Sequence, residues 1–213
     1  MQEFNSTDYL VIGSGIIGLS IGIALLESIP KIKVSIFEKE SNLGMHASGR
    51  NSGVIHAGFY YSPESLKARF CADGNKELKA LCKRNDLPLK EIGKVVVTSN
   101  LNEVGRLETL YRRGLENKIE LELLDANLLS KFEPAARTHG KFLWSPTTAI
   151  ADPKSVIDYL ALKFKKLGGE LITGNEIELR ESNGLVKAFI QNKEIPANYI
   201  VNAAGVHADQ IAR

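Results

Sequence analysis

Residues 9–20 read Y-L-V-I-G-S-G-I-I-G-L-S, and the rest of the chain is organised around them. A short apolar run, 9–12, meets Gly13, Gly15 and Gly18, and the apolar segment 19–26 follows at once. This order predicts strand, tight turn, helix. Gly13 permits the turn, Gly15 lets backbone approach a pyrophosphate, and Gly18 lets the helix lie close to the strand. The helix N-terminus adds free N–H groups and a partial positive charge.

Residues 33–37 (K-V-S-I-F) predict a second strand, with Glu38 at its end, 25 residues after Gly13. An acid there accepts hydrogen bonds from both ribose hydroxyls of an adenosine and repels a 2′-phosphate, which disfavours NADP. The plainer alternative is a βαβ unit that merely exposes this glutamate.

The 213 residues allow one large or two modest domains. A hydrophobic share of 44% and a charged share of 24% are ordinary for a water-soluble globular chain. The net charge of +2 is too balanced to suggest nucleic acid as a partner. Cys71 and Cys82, spaced along one predicted helix, read as reduced core thiols rather than a disulfide framework. No stretch reaches the ~18 apolar residues of a membrane span. The N-terminus has no signal-peptide pattern and reads as a mature, cytoplasmic-type start. No His, Cys or acidic residues have metal-ligand spacing, so no metal is expected.

After Glu38 the chain departs from a nicotinamide enzyme. Residues 41–58, S-N-L-G-M-H-A-S-G-R-N-S-G-V-I-H-A-G, are too polar and glycine-rich for a helix and too long for a routine connection. Gly44, Gly49, Gly53 and Gly58 would let backbone pass close to a flat or charged ligand. Ser48, Arg50, Asn51 and Ser52 supply donors for phosphate, ribityl hydroxyls or ring carbonyls. A solvated loop is the alternative.

Further on, Ser62-Pro63-Glu64 predicts a helix start, with Leu66, Phe70, Gly74, Leu78, Leu81 and Cys82 on its buried face. Residues 94–98 predict a strand, and Asn100 with Glu103 a capping box before Val104, Leu107, Leu110 and Tyr111. Asp152-Pro153 opens a helix with Val156, Ile157, Leu160, Phe164 and Leu167 on one side. Short strands follow at 171–173, 176–180, 186–190 and 199–201, and the last runs into Asn202-Ala203-Ala204-Gly205. Small residues just past a strand end suit the ligand crevice of an open α/β sheet.

Together, V-I-G-S-G-I-I-G, F-E-K-E, H-A-S-G-R-N-S-G-V-I-H-A-G, Y-Y-S-P-E-S-L-K-A-R and V-N-A-A-G-V-H-A-D resemble the FAD-dependent oxidoreductases of the D-amino-acid oxidase type. The stretches through Gly58 and 60–69 look most like the L-2-hydroxyglutarate oxidases and dehydrogenases, and the similarity runs from Asp8 to Arg213. The resemblance implies an α/β fold: a Rossmann-like FAD-binding domain with an inserted, incomplete mixed-sheet substrate domain. Residues 1–85 and 151–213 would be its two FAD-binding segments and 86–150 the substrate-domain portion.

It also implies roles. Gly13, Gly15, Ile16, Ile17 and Gly18 would hold the pyrophosphate, with Glu38 and Lys39 at the adenosine ribose. Ser48, Arg50, Asn51 and Ser52 would line the remainder of FAD, and Ile177 would offer its backbone to the adenine. Ala203, Ala204 and Gly205 would pass under the diphosphate, and His56 would lie close to the isoalloxazine ring. Members are usually longer and close the flavin site with a further glycine-rich segment, so the chain is expected to be the N-terminal part of a longer enzyme.

The expected reaction is oxidation of L-2-hydroxyglutarate, a small 2-hydroxy acid, to 2-oxoglutarate, with oxygen or a quinone as electron acceptor. FAD does the redox chemistry and the protein handles the proton. His56 is the candidate for the proton or a substrate contact, its alternative being a hydrogen bond to flavin or backbone. Arg50, Lys67 and Arg69 are candidate partners for the substrate carboxylates, or solvated charges. His46 would shape the loop entry, and His139 and His207 read as surface residues. Three other readings stay open: a glycerol-3-phosphate or amino-acid oxidising flavoenzyme, a non-catalytic nucleotide-binding fragment, and an NAD-dependent dehydrogenase, which residues 41–58 oppose. Reduction of a membrane quinone would add a peripheral membrane contact.

Overall fold

The computed structural model describes residues 5–212. Residues 1–4, read above as a mature start, and Arg213, the last residue of the resemblance, lie outside the described residues. In chain order the first elements are β1 (Thr7–Ile12), α1 (Ile16–Ser28), β2 (Val34–Phe37), β3 (Val54–Ile55), α2 (Leu66–Arg84), β4 (Leu89–Lys90) and β5 (Lys94–Val96). Next come α3 (Val104–Glu116), β6 (Glu122–Asp125), β7 (Lys141–Ser145), β8 (Ala149–Ala151), α4 (Pro153–Lys166) and β9 (Glu170–Ile172). The last are β10 (Glu178–Ser182), β11 (Leu185–Ile190), β12 (Lys193–Ile195), β13 (Ala197–Asn202) and α5 (Ala208–Ile211). They divide into two compact units, Met1–Asn51 with Pro153–Arg213, and Ser52–Asp152. The boundary between these units falls at 51/52, and α2 lies in the second.

In the first unit the strands order β13-β1-β2-β9, all parallel. A parallel sheet must be covered on both faces. Alternate residues do this here: Leu10, Ile12 and Phe37 pack against Ile177, Ala188, Ile190 and Ile195 of the antiparallel β10-β11-β12 layer and its approach. On the other face, Val11 points to α1, and Phe164 of α4 and Ile36 close over Gly22 of α1. Fully burying each such side chain contributes about 1.5–3 kcal/mol.

The second unit holds two antiparallel sheets, β3-β8-β4 and β5-β7-β6. Ala57, Phe59, Leu107, Ile119, Leu121 and Leu143 form its core, with Leu110 and Tyr111 packed against them. Helix α2 differs from expectation. It starts at Leu66 with Ser65, not Ser62, as the cap: Ser65 Oγ accepts the Ala68 N–H at 3.1 Å. Leu66 and Phe70 are 64% and 59% exposed, whereas Ala68, Asn75 and Cys82 are buried. The small face wins because backbone lies against it: a Cβ on Gly58 would stand 3.1 Å from Cys71 Cβ and 3.3 Å from the Ala68 carbonyl oxygen. Asn75 pins that approach, its amide donating to the carbonyls of Ile55, His56 and Thr147. Burial holds the Cys82 thiol above its ordinary pKa, and both cysteines are free. At α3, Glu103 accepts the Ser99 N–H at 2.7 Å, while Asn100 makes no side-chain cap bond.

Candidate functional site: a dinucleotide cleft

Strand register assembles the site. Ile12 stands opposite both Phe37 and Asn202, so Gly13, Glu38 and Ala203 leave the sheet at one level, at the carboxyl ends of three adjacent strands. The turn there is built for bare backbone. Gly13 has φ +102°, and a Cβ on it would stand 2.6 Å from the Ala203 carbonyl oxygen. A Cβ on Gly18 would stand 1.9 Å from the Gly13 carbonyl oxygen. Helix α1 begins after Gly15 with no side-chain cap and no acid in its first turn, which leaves its positive end available to an anion. The Ile16 N–H donates to Ser48 Oγ at 3.1 Å, which draws the loop after β2 to the helix start.

Glu38 is held firmly. Its Oε2 accepts the N–H and hydroxyl of Ser14 at 2.9 and 2.8 Å, and its Oε1 accepts the Glu40 N–H at 3.1 Å. Beside it, Lys39 Nζ lies 3.3 Å from His207 Nε2 and 3.8 Å from Glu40 Oε1. His46 Nε2 bonds the same Glu40 oxygen at 2.9 Å, and this contact, with Lys39 and Arg50 nearby, holds the Glu40 carboxyl below its ordinary pKa.

These groups line a cleft of about 1090 Å³. Of the residues singled out from sequence, Gly13, Gly15, Ile17, Glu38, Lys39, Ser48, Ile177, Ala203, Ala204 and Gly205 line it. Ile16 and Gly18 stand behind the lining, in contact with Ser48 and Gly13. Asn51 turns back to donate to the Ala47 and Ser48 carbonyls, and Arg50 is exposed beside it. The loop glycines serve the loop itself: a Cβ on Gly49 would stand 2.1 Å from the Gly44 carbonyl oxygen. His207, read from sequence as a surface residue, is half-buried in the cleft wall; Glu40 and His46 line the cleft as well, and Ser14 stands behind it, bonded to Glu38. The one sequence signal for His207 is its position two residues after Gly205.

Ser52, His56 and Lys67 belong to the second unit. His56 follows β3, and its carbonyl is held by Asn75. Desolvation of part of its ring, and then the Lys94 ammonium, keep the imidazole below its ordinary pKa and so favour the neutral form. Lys67 Nζ lies 4.6 Å from the centre of the Tyr61 ring.

A crowded glycine turn, a helix start with no acid in its first turn and an oriented carboxylate beside one cleft fit the adenosine diphosphate portion of a dinucleotide. The comparisons agree. The family model described as FAD dependent oxidoreductase matches residues 8–213. The mitochondrial L-2-hydroxyglutarate dehydrogenase of Bos taurus is 34% identical over 98% of this chain and 48% of its own length. The Salmonella houtenae L-2-hydroxyglutarate dehydrogenase is 36% identical over 97% of this chain and 49% of its own. The chain therefore spans about half the length of these curated relatives. Among solved structures, an L-alpha-glycerophosphate oxidase from Mycoplasma pneumoniae with FAD bound superposes with a TM-score of 0.86 at 28% identity, covering 98% of this chain and 56% of that one. A P. horikoshii L-proline dehydrogenase has the same TM-score at 20% identity, a likeness of fold, covering 98% of this chain and 55% of that one. The chain belongs to the DAO family of FAD-dependent oxidoreductases, whose cofactor is FAD.

Proposed function

We propose that this chain carries the dinucleotide-binding part of an FAD-dependent oxidoreductase that converts L-2-hydroxyglutarate to 2-oxoglutarate. The observation that carries the cofactor assignment is the convergence of Gly13, Glu38 and Ala203 on one cleft. The substrate assignment rests on the relatives, which are named for that substrate and match nearly the whole chain.

In this reading Gly13, Gly15 and the start of α1 hold the diphosphate, Glu38 the adenosine ribose, and Ile177 the adenine. Ala203, Ala204 and Gly205 would hold the diphosphate from the end of β13, and Ser48, Arg50, Asn51 and Ser52 would serve the remainder of the cofactor. FAD, when bound, supplies a two-electron acceptor for the hydride leaving C2 of the substrate. His56, kept neutral, takes the hydroxyl proton on its imidazole nitrogen, and Arg50 and Lys67 pair with the two carboxylates. Oxygen or a quinone then receives the electrons, with a peripheral membrane contact if a quinone is used. No helix among the described residues is long and apolar enough to cross a membrane.

The test is anaerobic reduction of the FAD-loaded protein, followed at the flavin absorbance band, with L-2-hydroxyglutarate and glycerol 3-phosphate compared. Bleaching by the first alone supports the proposal. Bleaching by glycerol 3-phosphate alone would replace it with the second reading.

A further inference from the structure

Ser14 is fully buried within the phosphate-facing turn, at 0% exposure. The G-x-G-x-x-G pattern asks only for glycines at their positions and places no demand for a hydroxyl between the first two. Here the hydroxyl is used. It and the Ser14 N–H both donate to Glu38 Oε2, while Oε1 takes the Glu40 N–H. A carboxylate offers about four acceptor positions. Three are therefore filled by donors belonging to the fold, and the remaining capacity belongs to a side chain that lines the cleft.

We infer that Ser14 is a positioning residue for adenosine recognition: its hydroxyl locks the Glu38 carboxylate so that the acceptor position left open is presented to a ribose hydroxyl. The inference rests on the FAD reading above. The terminal torsion of a glutamate is broad, so an unheld carboxylate would lose rotational freedom each time a ligand bound. Charge-assisted hydrogen bonds are about twice as strong as neutral ones, and the Ser14 hydroxyl adds one to the two backbone N–H bonds. The geometry makes the group selective for a diol-bearing adenosine diphosphate moiety and indifferent to what lies beyond the diphosphate.

The test is calorimetric titration of ADP and of 2′,3′-dideoxy-ADP into the wild-type chain, Ser14→Ala and Ser14→Cys, with the ligand-free melting temperature of each recorded. Ser14→Ala should bind ADP about tenfold more weakly than wild type. It should bind dideoxy-ADP as wild type does, and Ser14→Cys, with its weak S–H donor, should fall between. Equal weakening toward both nucleotides, or unchanged ADP binding, would overturn the assignment. If Ser14→Ala does not fold, Ser14→Cys, which replaces the hydroxyl by a weaker donor, carries the same selective comparison. A wild-type chain that binds neither nucleotide would overturn the FAD reading itself, whereas wild-type binding with no selective loss would overturn the Ser14 role alone.

Discussion

Lys39 Nζ and His207 Nε2 lie 3.3 Å apart, joining the end of β2 to the segment after β13 across 168 residues of sequence. The His207 ring also meets His46 edge-on at 5.6 Å, and His46 in turn bonds Glu40. Three separate segments thus close one wall of the cleft through polar contacts. Such partly exposed contacts contribute little individually, about 0–1 kcal/mol. His207→Ala should therefore leave the fold intact and weaken FAD binding by about two- to fivefold. Quenching of flavin fluorescence on titration measures it.

Gly18→Ala should be severe. Its new Cβ would meet the Gly13 carbonyl oxygen, which is backbone and cannot rotate away. Overpacking of this kind costs about 1–3 kcal/mol or more. Thermal unfolding should show a lowered midpoint even without cofactor, which separates this effect from lost FAD contacts.

Asn75→Ala should destabilise the second unit. The carbonyls of Ile55 and His56 lose the Asn75 amide donor, the Thr147 carbonyl keeps only the Lys79 ammonium, and residue 75 is buried. An unsatisfied buried polar group costs about 1–3 kcal/mol, so a loss of at least that size is expected in urea unfolding. Asn75→Asp should not rescue it, since a carboxylate cannot donate.

His56 predicts a pH dependence. Its folded pKa lies below the ordinary 6.5, so the unfolded chain binds the proton more readily. Stability from this group is present above 6.5 and is lost as pH falls through that value toward the depressed folded pKa. The melting temperature should decline between neutral and mildly acidic pH, and His56→Gln should flatten that decline. An identical pH slope in the variant would contradict the assigned environment.

The turn at residues 13–18 was legible because its chemistry is local: three glycines, an apolar run before and after, and an acid at the end of the next strand. The small residues 203–205 were legible for the same reason, as residues just past a strand. Helix α2 was not. Its apolar period runs through Leu66 and Phe70, but the packed face is the small one, because the backbone at Gly58 approaches it closely and Asn75 bonds to neighbouring carbonyls. Sequence periodicity cannot show which neighbour a helix meets. His207 and Ser14 escaped for another reason. Each contacts a partner distant in sequence, Glu38 for Ser14 and Lys39 for His207, and the parallel register of β13, β1 and β2 brings them together.

The central claim is that the segments meeting at Gly13, Glu38 and Ala203 hold FAD. The direct measurement is an absorbance spectrum of the purified chain, before and after incubation with FAD and removal of the excess, with the released cofactor identified. The account predicts a retained flavin band near one FAD per chain, abolished or sharply reduced in Glu38→Ala. A colourless protein that melts cooperatively yet takes up no FAD would contradict it.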